Sequence, residues 1–212
     1  MRGLIYKDIT IFFRSIEKRL LVIAGTAMAF LVYKTGIYAG LIASFMLAIT
    51  VAIQNIMCFS HDEKVNWRKY QIAMPISGLK VVASKYIAVI CTLLICVLGC
   101  VVLNLVSSII YQSFDFVIWG ASIAAAVMVM LTWTGICLPV TYWFGFHSSQ
   151  AMGLIVMIPF FYLFKYFEDN AGFSKMVTSV YSYISILGIA VMILFILSIV
   201  ISTIGYEKRR ST

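Results

Sequence analysis

The chain has 212 residues, of which 63% are hydrophobic and 11% charged, and its formal net charge is +8. Soluble domains carry about 45–50% apolar and about 25% charged residues, so an ordinary water-soluble fold is excluded. The positive charge does not describe a nucleic-acid surface either. The basic residues stand in short clusters between long apolar runs, as in loops that flank membrane spans, and not as a patch on a polar fold.

Residues 1–19 are amphipathic and do not span. Leu4, Ile5, Ile9, Phe12, Phe13 and Ile16 recur at helical spacing, and Arg2, Lys7, Asp8, Arg14, Glu17 and Lys18 occupy the remainder. This predicts a helix in the headgroup plane with its Phe and Ile side buried. The next apolar stretch shows no small-residue cleavage site, so a cleavable signal peptide is not expected. Residues 20–59 contain one charge, Lys34. A span needs about 20 residues, so this stretch reads as two helices turning near Tyr33, Lys34, Thr35 and Gly36.

The longest polar interruption, 60–85, comes next. Residues 86–140 hold a third run to Tyr111, a short turn from Gln112 to Asp115, and a fourth run. A weakly polar link, Thr141 to Gln150, leads to a fifth run ending near Tyr166. Phe167 to Thr178 reads as a loop. The sixth run extends to about Ile204, so that 150–204 holds spans five and six, and 205–212 is a polar tail. No repeat or second domain is visible, and residues 1–212 form a single transmembrane unit.

Counting Lys and Arg sets the orientation. The N-terminal segment has five, the 61–85 loop five and the tail three, against Lys34, Lys165 and Lys175 on the opposite side. Thirteen against three is a strong positive-inside bias, which places both termini in the cytoplasm. An even number of spans is then required. The expected fold is an all-α membrane protein with six transmembrane helices and an N-terminal amphipathic interfacial helix.

Chemistry is sparse. His61 and His147 lie in different loops, no HExxH pattern occurs, and no phosphate-binding GxxxxGK[ST] loop is present. Neither a catalytic residue nor a metal site is expected. Cys58, Cys91, Cys96, Cys100 and Cys137 fall in or beside apolar runs and read as small packing residues. The adjacent acids Asp62 and Glu63 have no acidic partner at depth in another span. No charge sits at a helix centre, which argues against an ion-coupled carrier. Gln54, Asn55 and Asn104 are the strongest polar groups within spans and read as interhelical hydrogen-bonding residues.

In the 61–85 loop, Trp67 and Tyr70 share a helical face with Met74, rimmed by Arg68 and Lys69, and Pro75 stops that helix. From physics alone two readings stand level. One is a solvated loop whose Trp anchors at the interface. The other is a docking helix with an aromatic centre.

The opening Met1-Arg2-Gly3-Leu4-Ile5-Tyr6-Lys7-Asp8 resembles that of small bacterial ABC-2 type transporter permeases. Asn66-Trp67-Arg68-Lys69-Tyr70, through Met74-Pro75-Ile76-Ser77 to Ser84-Lys85-Tyr86, resembles their first cytoplasmic loop. The resemblance implies a multi-pass permease subunit in the bacterial cell membrane. It would export a peptide, antibiotic or other amphipathic substrate, surrounded by membrane lipid and without nucleic acid. It would pair with a second permease copy, as homodimer or heterodimer, and bind a separate ATP-binding cassette ATPase. ATP and Mg would be held by that partner, so this chain is not itself an enzyme and binds no cofactor. The elbow helix would carry Lys7, Asp8, Phe12 and Phe13. The ATPase-coupling segment would carry Glu63, Lys64, Trp67, Arg68, Lys69, Tyr70 and Met74. One departure is that Phe167 to Thr178 is too short for the extracellular hairpin of larger relatives, with Pro159 a kink in the fifth span. The reading from another class is a membrane-embedded assembly or sensory partner without its own transport path.

Overall fold

The computed structural model describes residues 2–16, 25–26, 30, 36–67, 70–71, 76–170 and 172–211. Among these there is no strand, and six helices account for nearly all of them: α1 (Arg2–Arg14), α2 (Ala39–Lys64), α3 (Gly78–Tyr111), α4 (Phe116–Phe144), α5 (Phe146–Asn170) and α6 (Gly172–Ser211). The all-helical expectation holds. Four described segments are long and apolar enough to cross a membrane: Ala39–Lys64, Gly78–Tyr111, Phe116–Phe144 and Ser185–Arg209. Most of the expected first span, with Tyr33, Lys34 and Thr35 of its turn, lies outside the described residues. The far side of that turn fits the expectation. Gly36 has a φ of +60°, which glycine tolerates without strain, and a 3-10 turn (Gly36–Tyr38) leads into α2.

Three boundaries differ from the sequence expectation. Helix α2 runs on through the polar residues 60–64 and α3 begins at Gly78, so the connection between them is shorter than 60–85. Hydropathy marks where lipid ends, whereas the backbone hydrogen bonds of a helix continue for as long as no residue breaks them. For the same reason α4 extends past Val140 to Phe144. The expected link at 141–150 shrinks to Gly145, whose φ of +93° turns the chain straight into α5. Phe167 to Thr178 is helical on both sides of position 171.

Local chemistry accounts for the sharp turn between α3 and α4. Gln112 takes the left-handed conformation at φ +49°, and the N–H of Ser113 donates to the carbonyl of Ser108 at 3.2 Å, closing α3. Asp115 then caps α4 by accepting the Val117 N–H at 2.9 Å.

Helix α4 is the central element and packs on α2, α3, α5 and α6. Met130, Trp133, Cys137 and Leu138 of α4 are buried in the main core with Ala48, Ala52 and Ile56 of α2 and Val82 and Val89 of α3. Small residues allow the close approach that helices in lipid depend on. Gly135 of α4 lies against Leu194, and Gly205 of α6 lies against the Trp143 ring. Leu94, Leu98 and Ile109 of α3 and Ile189, Ile196 and Ile204 of α6 are exposed on the outer surface, which suits helices facing hydrocarbon.

The polar residues within the spans tie helices together. Asn104 Nδ2 of α3 donates to Ser44 Oγ of α2 at 3.2 Å and to Ser122 Oγ of α4 at 2.7 Å. Asn55 donates to Thr92 Oγ1 at 2.9 Å. Tyr86 bonds Ser198 and Ser202 of α6. Gln54 reaches Ser15, just past α1. The expectation that Gln54, Asn55 and Asn104 act between elements is met.

Candidate functional site at the charged end of the bundle

One end of the bundle gathers α1, the C-terminal ends of α2, α4 and α6, and the N-terminal ends of α3 and α5. The turns at 36–38 and 112–115 lie at the other end. The charged residues that hydropathy assigns to separate loops therefore meet in space.

Their centre is a four-residue ion network. Lys85 Nζ, in the second turn of α3, lies 2.8 Å from Asp8 Oδ1 of α1 and 2.8 Å from Asp62 Oδ2 of α2. Lys7 Nζ lies 2.6 Å from Asp62 Oδ1 and 3.3 Å from Asp8 Oδ1. Two cations and two carboxylates balance, which is the condition for burying them. The side chains of Lys85 and Asp8 are only 8% and 5% exposed. Aromatic faces complete the shell, with Lys85 Nζ 4.5 Å from the Phe59 ring centroid and Lys7 Nζ 4.5 Å from that of Trp67.

Glu63, beside Asp62, serves a different helix. Its Oε1 accepts the backbone N–H of Phe146 at 2.9 Å, placing a carboxylate at the positive N-terminal end of α5. Gly145 passes close to both Glu63 Oε1 and the Arg209 guanidinium, and a Cβ there would crowd the carboxylate. Trp143 Nε1 donates to the Ile201 carbonyl of α6 at 3.0 Å, and Lys208 covers the Trp143 ring at 5.1 Å. A cavity of about 380 Å³ opens among these groups, lined by Phe59, Asp62, Trp67, Lys85, Tyr142 and Arg209, among others.

Lys7, Asp8, Glu63 and Trp67, singled out from the sequence, come together at this end. Phe12 is buried beneath the network, whereas Phe13 is half exposed. Asp8 is a correction to the amphipathic reading, which put it on the polar face. It is 4% exposed and shares the buried face with Leu4 and Phe12, because Lys85 supplies its counter-charge. Lys64 is exposed at the end of α2, and Tyr70 is exposed with its ring 6.2 Å from that of Trp67. Arg68, Lys69 and Met74 lie outside the described residues. Sequence reasoning did not assign Asp62, Lys85, Tyr142 or Arg209 to the site. Asp62 and Lys85 each stand at the polar edge of an apolar run, a signal of equal membrane depth but not of contact. Among the described residues no group of three or more His, Cys, Asp or Glu is placed to hold a metal. Cys96 and Cys100 are buried on α3, and the Cys100 thiol donates weakly to the Ser44 carbonyl at 3.9 Å.

Residues 3–207 match the profile of the ABC-2 family transporter proteins. The chain belongs to that family. No curated protein and no solved structure matches it significantly. As an ABC-2 permease the chain is a transmembrane component of an ABC transporter. The match covers α2 to α5 in full, α1 except Arg2, and α6 as far as Glu207. The ion network of this permease joins its first helix to the end of α2 and the start of α3.

Proposed function

We propose that this permease has six spans with both termini in the cytoplasm, and that it exports an amphipathic substrate such as a peptide or antibiotic across the bacterial cell membrane. A separate ATPase subunit binds ATP and Mg and docks on the segment from Glu63 to Met74, and a second permease copy completes the pathway. The observation that supports this reading is the ion network of Asp62 and Lys85, which flank that segment, with Lys7 and Asp8. A push on residues 65–77 is delivered at once to α1, α2 and α3, because Asp62 and Lys85 flank the segment and both are bonded to α1.

In this mechanism the ATPase dimer closes on ATP and moves the exposed Tyr70. Trp67 carries the motion inward through its contact with Lys7. The network keeps the three helices moving as one body while α4 and α5, joined at Gly145, move with them through Glu63. The test is the double substitution Trp67→Ala with Arg68→Glu in chain co-expressed with its ATPase. The ATPase is expected to be lost on purification while the permease stays in the membrane at its normal level. Unchanged association and unchanged substrate-stimulated ATP hydrolysis would show that the docking segment lies elsewhere.

A further inference from the structure

The cavity at the charged end contains two hydrogen-bond donors that the ion network does not use. Trp67 Nε1 and Tyr142 Oη are buried and without a hydrogen-bond partner among the described residues, and both residues line the cavity. Tyr142 is 8% exposed, and its ring is held edge-on between Phe59 at 5.5 Å and Tyr206 at 6.1 Å, so its hydroxyl cannot swing out to water without disturbing three helices. A buried donor left unmade is costly. An indole N–H can only donate, so whatever satisfies it brings an acceptor.

Of the two carboxylates on the cavity wall, Asp62 is bonded through both oxygens, one to Lys7 and the other to Lys85, and Glu63 through Oε1, to the Phe146 N–H. The formal charges of the lining, Asp62 and Glu63 against Lys85 and Arg209, cancel, so no net ion of either sign is selected. The aromatic walls nevertheless accept ammonium groups, since Phe59 and Trp67 each already carry a Lys Nζ at 4.5 Å. Donors for an anionic oxygen, ring faces for a cation and no net charge describe one ligand class. The volume of about 380 Å³ is that of a small-molecule site. The apolar part of α2 ends at Phe59 and that of α3 begins at Tyr86, so the cavity lies at the boundary between hydrocarbon and headgroups.

We propose that this cavity binds a zwitterion of the phosphoethanolamine type. Its phosphate oxygens take the Trp67 and Tyr142 donors, and its ammonium lies against the Tyr142 and Tyr206 rings and Glu63. The ligand is supplied either as the headgroup of phosphatidylethanolamine or as free glycerophosphoethanolamine, a phosphodiester that likewise carries no net charge. The cavity shares Glu63 and Trp67 with the proposed docking segment, so binding is measured on the permease without its ATPase, where it stands or fails separately from docking.

Two arms test it on the full chain. In the first, native mass spectrometry compares retention of phosphatidylethanolamine and phosphatidylglycerol after detergent purification. In the second, calorimetry titrates glycerophosphoethanolamine into chain held in phosphatidylglycerol nanodiscs. A lipid source predicts retention of one phosphatidylethanolamine over phosphatidylglycerol. A free source predicts saturable binding in the second arm without that preference. In whichever arm is positive, Tyr142→Phe and Trp67→Phe, which keep the rings, should each weaken binding about fivefold to tenfold, the effect of one hydrogen bond. Absence of binding in both arms overturns the proposal. So does binding that is indifferent to Tyr142→Phe, with that variant merely melting at a higher temperature once its unmet donor is gone.

Discussion

Lys85 Nζ lies 2.8 Å from Asp8 Oδ1 across a sequence separation of 77 residues, with both side chains almost fully buried. This contact fixes α1 to the start of α3. It requires that neither charge be removed alone. Lys85→Met should cost about 3–5 kcal/mol, because it leaves Asp8 buried without its main counter-charge. Lys85→Met combined with Asp8→Leu should recover most of that loss, since Lys7 still neutralises Asp62 at 2.6 Å. Thermal unfolding in detergent measures both. A double variant less stable than Lys85→Met would contradict the pairing.

Asn104 joins α3 to α2 and α4, and it also donates to the Cys100 carbonyl of its own helix. Interhelical hydrogen bonds within membranes are modest, so Asn104→Leu should lower stability by about 1–2 kcal/mol and leave ATPase association intact. Asn104→Gln should not rescue it, because Gly40 lies directly against the Asn104 side chain and leaves no room for another methylene. The melting temperatures of the two variants decide the point.

Gly205 of α6 packs directly against the Trp143 ring of α4. A side chain there would enter the Trp143 ring. Gly205→Leu should therefore destabilise by about 1–3 kcal/mol, the usual cost of overpacking. It should also break the bond from Trp143 Nε1 to the Ile201 carbonyl, visible as a red shift of Trp143 emission. Gly188 has open space where a Cβ would stand, so Gly188→Leu serves as the neutral control in the same helix.

Much of this architecture was legible in the residues. The amphipathic spacing of 1–19 matches α1, and long apolar runs match the four described segments that can cross a membrane. Gln54, Asn55 and Asn104 could be assigned to interhelical bonds because lipid offers them no other partner. The boundaries were less legible. His61, Asp62, Glu63 and Lys64 look like loop to a hydropathy scale, yet nothing among them stops a helix, and α2 continues to Lys64. Gly145 alone separates α4 from α5, and its positive φ is a backbone property that composition does not carry. The site itself was half visible. Lys7, Asp8, Glu63 and Trp67 stood in recognisable segments. The burial of Asp8 was not foreseeable, because it depends on Lys85, which is distant in the chain. Tyr142 stands in the weakly polar link expected at 141–150 and gave no sign that it would line a cavity.

The charged end of the bundle is the one expected to meet the ATPase. Tyr70, 60% exposed, lies in the connection after α2, and Phe116, 84% exposed, lies at the opposite end where α4 begins. Tyr70→Cys and Phe116→Cys can each be treated with a short thiol-to-amine cross-linker in membranes that contain the co-expressed ATPase, with the unsubstituted chain as background. The expected result is a permease–ATPase adduct from position 70 and none from position 116. An adduct from position 116 with none from position 70 would contradict both the orientation and the coupling assignment.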